Sequence, residues 1–235
     1  MALRMLSGPR LPPAKGKATH LVVLCHGYGA DGNDLIGLAP MWQRMLPTVA
    51  FSAPNGPERC PGAGYQWFGI ARIDPAEMRR GVEGAAQVLD EFLDAELKRL
   101  ELGADRLALV GFSQGTMMAL QVGLSRPAKP ACIVGYSGML AGEAPTLGAD
   151  APPILLVHGD ADPTIPVGAL FDAATRLGRA GAQLQWHVSS GVGHSIDEAG
   201  LMLGGMHLTM ALRGLLRRGL REISCPVAEM SQRIA

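Results

Sequence analysis

Arg106-Leu107-Ala108-Leu109-Val110-Gly111-Phe112-Ser113-Gln114-Gly115, running on into Thr116-Met117-Met118-Ala119-Leu120, is the stretch whose reading decides the fold. Arg106 to Val110 is a short apolar run, the pattern of a strand buried on both faces. Gly115 to Leu124 reads as a helix that stops before Pro127. Between them stands Gly-x-Ser-x-Gly. A tight strand-to-helix turn forces its serine into a strained backbone conformation, and only small flanking residues let neighbouring backbone approach. The serine is thereby presented above the C-terminal edge of a sheet, where open α/β sheets hold their sites. The N-terminus of the helix beneath it offers unpaired N–H groups and positive potential to an oxyanion. The motif by itself also fits a plain turn; between a buried strand and a helix it marks Ser113 as a nucleophile.

Outward from this centre the same alternation repeats. His20 to Cys25, Thr48 to Ser52, Ala131 to Tyr136 and Ile154 to Val157 are further apolar runs. Leu184 to Val188 alternates with polar residues and reads as a strand nearer an edge, and Leu3 to Leu6 as a short edge strand. Val82, Ala85, Leu89, Leu93, Leu97 and Leu100 place one apolar stripe on a helix from about Ala76 to Leu102, with Gly103 positioned to end it. Val167 to Leu177 and Leu201 to Leu216 read as two more helices. Strands alternating with helices predict a mostly parallel sheet covered on both faces. No linker divides the chain, so residues 1–235 read as a single domain with its core at about 18–220 and a frayed C-terminal tail. Between Ser137 and Pro152 there is no room for a large cap domain. The longest stretch without periodicity, Gly56 to Pro75, holds Tyr65, Trp67, Phe68 and Ile70, and compact domains rarely carry such a loop without a use.

Composition excludes several classes. Of 235 residues, 48% are hydrophobic, enough for a two-sided buried sheet and too many for a disordered chain. Lysine plus arginine and aspartate plus glutamate both number 21, a balance that gives no electrostatic grip on nucleic acid or an acidic membrane. Cys25, Cys60, Cys132 and Cys225 show neither a metal-site spacing nor a disulfide framework, so a reducing, cytoplasmic setting is expected. The N-terminus reaches Pro9 too soon for a signal peptide. No uncharged apolar run approaches the roughly 18–20 residues of a membrane-spanning helix.

A serine hydroxyl needs a base, usually histidine, itself oriented by a carboxylate. In the chain order that goes with a Gly-x-Ser-x-Gly elbow, the acid and then the histidine follow the serine. His194, in Gly191-Val192-Gly193-His194-Ser195, lies in a loop between the last strand and last helix, whereas His187 in a strand and His207 in a helix read as structural. For the acid, Asp160 and Asp162 both stand at the end of the fifth apolar run; Asp162 lies further into the loop and Asp160 is placed to organise the turn, a distinction that spacing draws only weakly. A metal reading of His158, Asp160 and Asp162 lacks a further ligand cluster. The oxyanion donors expected are the N–H of Gln114 and, from His26-Gly27-Tyr28-Gly29 after the first buried strand, that of Tyr28. His26 reads as structural, pairing within the loop. Asp34 or Asn33 reads as a helix cap, since the closing Glu of a calcium loop is missing.

These pieces together resemble the small bacterial carboxylesterases of the phospholipase/carboxylesterase family, related to acyl-protein thioesterases, within the α/β-hydrolase superfamily. The resemblance rests on Leu24-Cys25-His26-Gly27-Tyr28-Gly29-Ala30-Asp31, Pro54-Asn55-Gly56, Gln66-Trp67-Phe68, Gly111-Phe112-Ser113-Gln114-Gly115, His158-Gly159-Asp160-Ala161-Asp162-Pro163 and Gly191-Val192-Gly193-His194-Ser195-Ile196, in order from about residue 18 to 220. It implies an α/β-hydrolase fold, with Ser113 as nucleophile, His194 as base, Asp162 as its orienter, and Tyr28 and Gln114 as the oxyanion hole. Tyr28 departs from the leucine that relatives often carry there. The expected activity is hydrolysis of short-to-medium acyl carboxylic esters without a cofactor or metal, with Trp67, Phe68 and Leu140 as walls of the acyl pocket. A thioesterase or lysophospholipase would share every catalytic residue. A dienelactone-hydrolase type usually carries cysteine at the Ser113 position, and a non-catalytic binding protein would usually have lost a triad member. Small relatives often pair as homodimers, which carries over as an expectation.

Overall fold

The computed structural model of the protein describes residues 6–216. Its elements in chain order are β1 (Arg10–Leu11), β2 (His20–Cys25), α1 (Gly32–Ile36), α2 (Ala39–Gln43), β3 (Val49–Ser52), β4 (Glu58–Arg59), β5 (Tyr65–Gln66), α3 (Pro75–Leu100), β6 (Leu107–Phe112), α4 (Gln114–Ser125), β7 (Cys132–Tyr136), β8 (Ile154–Gly159), α5 (Gly168–Arg179), β9 (Leu184–Ser189) and α6 (Glu198–Leu212). One seven-stranded sheet has the order β1-β3-β2-β6-β7-β8-β9. All its pairings are parallel except that of β1 with β3. This is the α/β-hydrolase arrangement expected, and among the described residues no large cap interrupts it.

The sheet is buried on both sides because successive residues of its central strands face opposite ways. Leu21, Val23 and Cys25 of β2, with Leu107 and Leu109 of β6, meet the apolar stripe of α3 and the buried faces of α4 and α5. Val22 and Leu24, with Ala108 and Val110, pack on the other face against Trp42, Leu208 and Leu212. Burial pushes the Cys25 thiol up to about 12, the behaviour of an inert core cysteine.

Helix α3 opens at Pro75, where the missing N–H is no loss, with the Asp74 carboxylate accepting from the N–H groups of Ala76 and Glu77. Its end differs from expectation. Glu101, not Gly103, turns into the left-handed region at φ 58°, and the Leu102 N–H returns to the Leu97 carbonyl. The cap of α1 differs too. Asp31 accepts from the Asn33 N–H while Asp34 reaches back to the Asp31 N–H, so the capping residue is Asp31 and Asp34 is its reciprocal partner.

The one-turn helices α1 and α2 and the β4–β5 ribbon were not expected. The ribbon occupies part of the aperiodic stretch between Gly56 and Pro75. Leu6 is not in a strand, and the strand at that edge is β1. The remainder of the Leu3-to-Leu6 expectation, Cys225 and the tail lie outside the described residues. Helix α6 runs from an Asp197 cap to Leu212, starting and ending earlier than periodicity placed it. Among the described residues no helix is long and apolar enough to cross a membrane.

Candidate active site

Ser113 joins β6 to α4 with φ 54° and ψ −118°, a conformation that non-glycine residues rarely adopt. The turn is held because the Ser113 N–H donates to the Tyr136 carbonyl at 2.8 Å, while its own carbonyl accepts from Thr116 N–H at 2.9 Å. The flanking glycines are sterically required. A Cβ on Gly115 would lie 1.9 Å from the Cys25 carbonyl oxygen, and one on Gly111 would lie 2.3 Å from the Gly115 carbonyl oxygen. Backbone atoms cannot swing away, so the motif spacing is a packing constraint. On the neighbouring loop, a Cβ on Gly27 would come within 3.3 Å of Ser113 Cβ, which places the segment after β2 directly against the serine.

His194 Nε2 lies 3.0 Å from Ser113 Oγ, and its Nδ1 lies 2.7 Å from Asp162 Oδ2. With a carboxylate at Nδ1, that nitrogen carries the proton and Nε2 is left to accept from the serine hydroxyl. The Asp162 side chain is wholly buried. Burial alone would raise its pKa, but the His194 hydrogen bond and the N–H groups of Ile165 and Thr164, at 2.9 and 2.8 Å, outweigh it and hold the carboxyl below the usual aspartate value. His158 adds Nε2 at 3.3 Å from Asp162 Oδ2 while that nitrogen donates to the Ile165 carbonyl at 2.8 Å. Asp160, exposed, instead accepts from the Gly191 N–H at 2.6 Å and so ties the end of β8 to the histidine loop. That loop crosses the strand end closely, since a Cβ on Gly159 would lie 2.1 Å from the Val192 carbonyl oxygen. The Phe112 ring flanks the imidazole at 5.0 Å between centroids. No group of three or more His, Cys, Asp or Glu side chains arranged to hold a metal ion occurs among the described residues.

The N–H groups of Tyr28 and Gln114 donate to no protein acceptor among the described residues, the state an anion-binding pair requires. The surroundings of both are tightly bonded. Gly56 N–H donates to His26 Nε2 at 2.8 Å, so Nδ1 carries the proton and donates to the Gly27 carbonyl at 2.7 Å. Burial lowers the His26 pKa, and the Gly27 carbonyl only partly offsets it, which keeps the ring neutral and structural. The Gln114 side chain, also buried, accepts from Trp67 N–H at 2.9 Å and donates to the Phe68 carbonyl at 2.8 Å. Sequence reasoning assigned Gln114 only its backbone N–H and missed this clamp, for which an amide side chain inside an apolar elbow is the available signal.

Beside Ser113 and Gln114 opens a cavity of about 200 Å³ walled by Ile70, Ile73, Met78, Met117 and Ile165, with the partly exposed Tyr28 beside them. A hydrogen bond with the Cys60 thiol raises the pKa of the Tyr28 phenol. The three side chains expected as acyl-pocket walls do not border this cavity. Trp67 is 1% exposed and stacks on His26, and the Phe68 ring packs against Gly81 of α3. Leu140 lines a separate cavity of about 470 Å³ between Arg79 and Arg176. His207 is buried in α6 with Nδ1 3.2 Å from Gln185 Oε1, and burial pushes its pKa down to about 4 against a weaker opposing contact with the Pro153 carbonyl. His187 lies in β9, away from these contacts.

Comparison with known proteins agrees with this architecture. Residues 8–211 match the model of the phospholipase/carboxylesterase family. The chain is 27% identical over 192 residues to the esterase YpfH of Escherichia coli K12, covering 81% of this chain and 82% of that protein. It is 31% identical over 212 residues to acyl-protein thioesterase 1 of Neurospora crassa, covering 80% and 84%. Among solved structures, the esterase PE8 superimposes with a TM-score of 0.82 at 39% identity, covering 90% of this chain and all of that one. The Bacillus cereus carboxylesterase, at 18% identity and a TM-score of 0.74, shares the fold over 88% and 95%. The chain therefore belongs to the phospholipase/carboxylesterase family of α/β-hydrolases and is, by that membership, a serine hydrolase of the carboxylesterase type.

Proposed function

We propose that the protein hydrolyses short-to-medium acyl carboxylic esters through Ser113, His194 and Asp162. The observation that carries the reading is the two-step contact of His194, 3.0 Å to Ser113 Oγ on one side and 2.7 Å to Asp162 Oδ2 on the other. Ser113 Oγ attacks the ester carbonyl carbon as its proton passes to His194 Nε2. The carbonyl oxygen, now an anion, is met by the Tyr28 and Gln114 N–H groups. Collapse breaks the carbon–oxygen bond to the alcohol, which leaves with the proton from His194. Water then attacks the acyl-enzyme with His194 accepting its proton; the bond to Ser113 Oγ breaks, the serine regains a proton from His194, and the carboxylic acid departs. Asp162 stays ionised and steadies the imidazolium, as its depressed pKa allows. Each step uses only this chain and water.

The apolar cavity of about 200 Å³ supports an acyl chain of modest length. Ser113→Ala is expected to reduce turnover of p-nitrophenyl butyrate by about a millionfold, since the three residues act as a unit. It should also abolish labelling by a fluorophosphonate probe; retained turnover would sink the assignment. A series of p-nitrophenyl esters is expected to peak at butyrate to octanoate and fall at palmitate. The relative named acyl-protein thioesterase 1, at 31% identity, gives a second reading in which the acyl group arrives as a thioester. The same acyl chain offered as thioester, lysolipid and simple ester decides between them.

A further inference from the structure

We propose that Trp67 is a positioning residue that fastens the two limbs of the oxyanion hole to each other. The proposal rests on the reading of Ser113 as nucleophile with the Tyr28 and Gln114 N–H groups as donors. Those donors come from different segments, one following β2 and one opening α4. To act on a single oxygen, their separation has to be held to within about 0.5 Å. The β2–β6 ladder does not do this alone, because its last register pair is Cys25 with Gly111, ahead of both donors.

Beyond the ladder, Trp67 bonds to both sides. Its indole Nε1–H donates to the His26 carbonyl at 3.0 Å, two residues before Tyr28, and its backbone N–H donates to Gln114 Oε1 at 2.9 Å. The Gln114 amide closes the link by donating to the Phe68 carbonyl at 2.8 Å. The ring lies against the His26 imidazole at 5.6 Å between centroids. Each of these groups is buried, where a broken hydrogen bond leaves an unpaired polar atom rather than one rescued by water. The geometry accounts for a large aromatic residue near the site that does not line the cavity. Its work is to hold two backbone segments at a fixed distance.

Trp67→Phe keeps an aromatic ring and removes the Nε1–H donor together with part of the buried indole volume, a loss of volume that the control Trp42→Phe shares. With rates taken per site labelled by a fluorophosphonate, kcat for p-nitrophenyl butyrate is expected to fall roughly 10- to 100-fold with KM nearly unchanged. The inhibition constant of an alkyl trifluoromethyl ketone, whose adduct with Ser113 carries the same oxyanion, is expected to rise by a matching factor. Gln114→Met cuts the other side of the link and is expected to shift both quantities in the same direction. Trp42→Phe is the control. The Trp42 Nε1–H donates to the Leu201 carbonyl at 2.9 Å on the opposite face of the sheet, so the same substitution should lower thermal stability while leaving kcat and ketone affinity at their parent values. Trp67→Phe and Gln114→Met variants indistinguishable from Trp42→Phe in kcat and ketone affinity would overturn the fastening role alone. Turnover surviving Ser113→Ala would overturn the fastening role together with the reading beneath it.

Discussion

Asp160 and Asp162 stand two residues apart at the end of β8, and their environments are opposite. Asp162 is buried and spends its oxygens on His194, Thr164 and Ile165, whereas Asp160 is exposed and accepts from one backbone N–H. Asp162→Asn keeps the shape but presents an amide to Nδ1, which favours the wrong imidazole tautomer; kcat is expected to fall about 10⁴-fold, as for other triads of this type. Asp160→Asn is expected to retain most of its turnover, since a neutral amide oxygen still accepts from Gly191. Asp162 also shapes the acid limb of stability. The folded pKa of Asp162 lies below its unfolded value, so its contribution is present above the ordinary aspartate value and is lost as pH falls through the depressed one. Unfolding curves between neutral and strongly acidic pH should be steeper for the parent than for Asp162→Asn. Equal kcat losses in the two variants would refute the assignment of the acid.

At the scale of elements, two of the three non-glycine residues with positive φ among the described residues invite comparison. Ser113 at φ 54° carries the proposed chemistry, and its strain is fixed by glycines on both sides. Glu101 at φ 58° ends α3 and carries none; its one ion pair among the described residues, with Lys17 at 3.5 Å, is exposed and worth little. Strain of about 1–2 kcal/mol at Glu101 exceeds the extra chain entropy of a glycine, about 0.5–1 kcal/mol. Glu101→Gly is therefore expected to stabilise the protein, raising its thermal midpoint by about 2 °C with turnover unaffected. A lowered midpoint would show that the turn is not strained. The position also shows what sequence could reveal of the fold. Buried strands and the long stripe of α3 announced themselves because burial imposes a period. The end of α3 did not, since Gly103 was the better candidate by chemistry and the chain closed two residues earlier by pairing Leu102 with Leu97. One-turn helices such as α1 and α2, and two-residue strands such as β4 and β5, are too short to show a period at all. At the site, Ser113 and His194 are legible from chain order and loop position, whereas the choice of Asp162 over Asp160 comes from the family resemblance, since spacing separates the two only weakly. Trp67, Phe68 and Leu140 do not border the cavity beside Ser113, and their sequence context could not separate a lining from a core, because apolar linings and apolar cores have the same composition.

At the scale of the whole molecule, the question is what stands between Ser113 and solvent. In an open α/β sheet the crevice above the strand ends is the natural binding place, and a cap or lid is what makes entry depend on a conformational change. Two excursions leave the strand ends near Ser113. One follows β5, and contributes Ile70 and Ile73 to the cavity; the other, residues 137–153, joins β7 to β8 without helix or strand. Neither is long enough to fold over the site as a separate layer. The cavity opens beside a serine whose partner histidine keeps a fifth of its side chain exposed. With no lid over the site among the described residues, a substrate molecule in dilute solution is expected to meet the same site as one in an aggregate. Initial rates with p-nitrophenyl butyrate, followed upward through its solubility limit, are expected to saturate hyperbolically and to show no jump when droplets appear. A sharp rise at that point would mean that one of these two excursions closes over Ser113 in solution and opens only at a surface, and the site would have to be redrawn as a gated one.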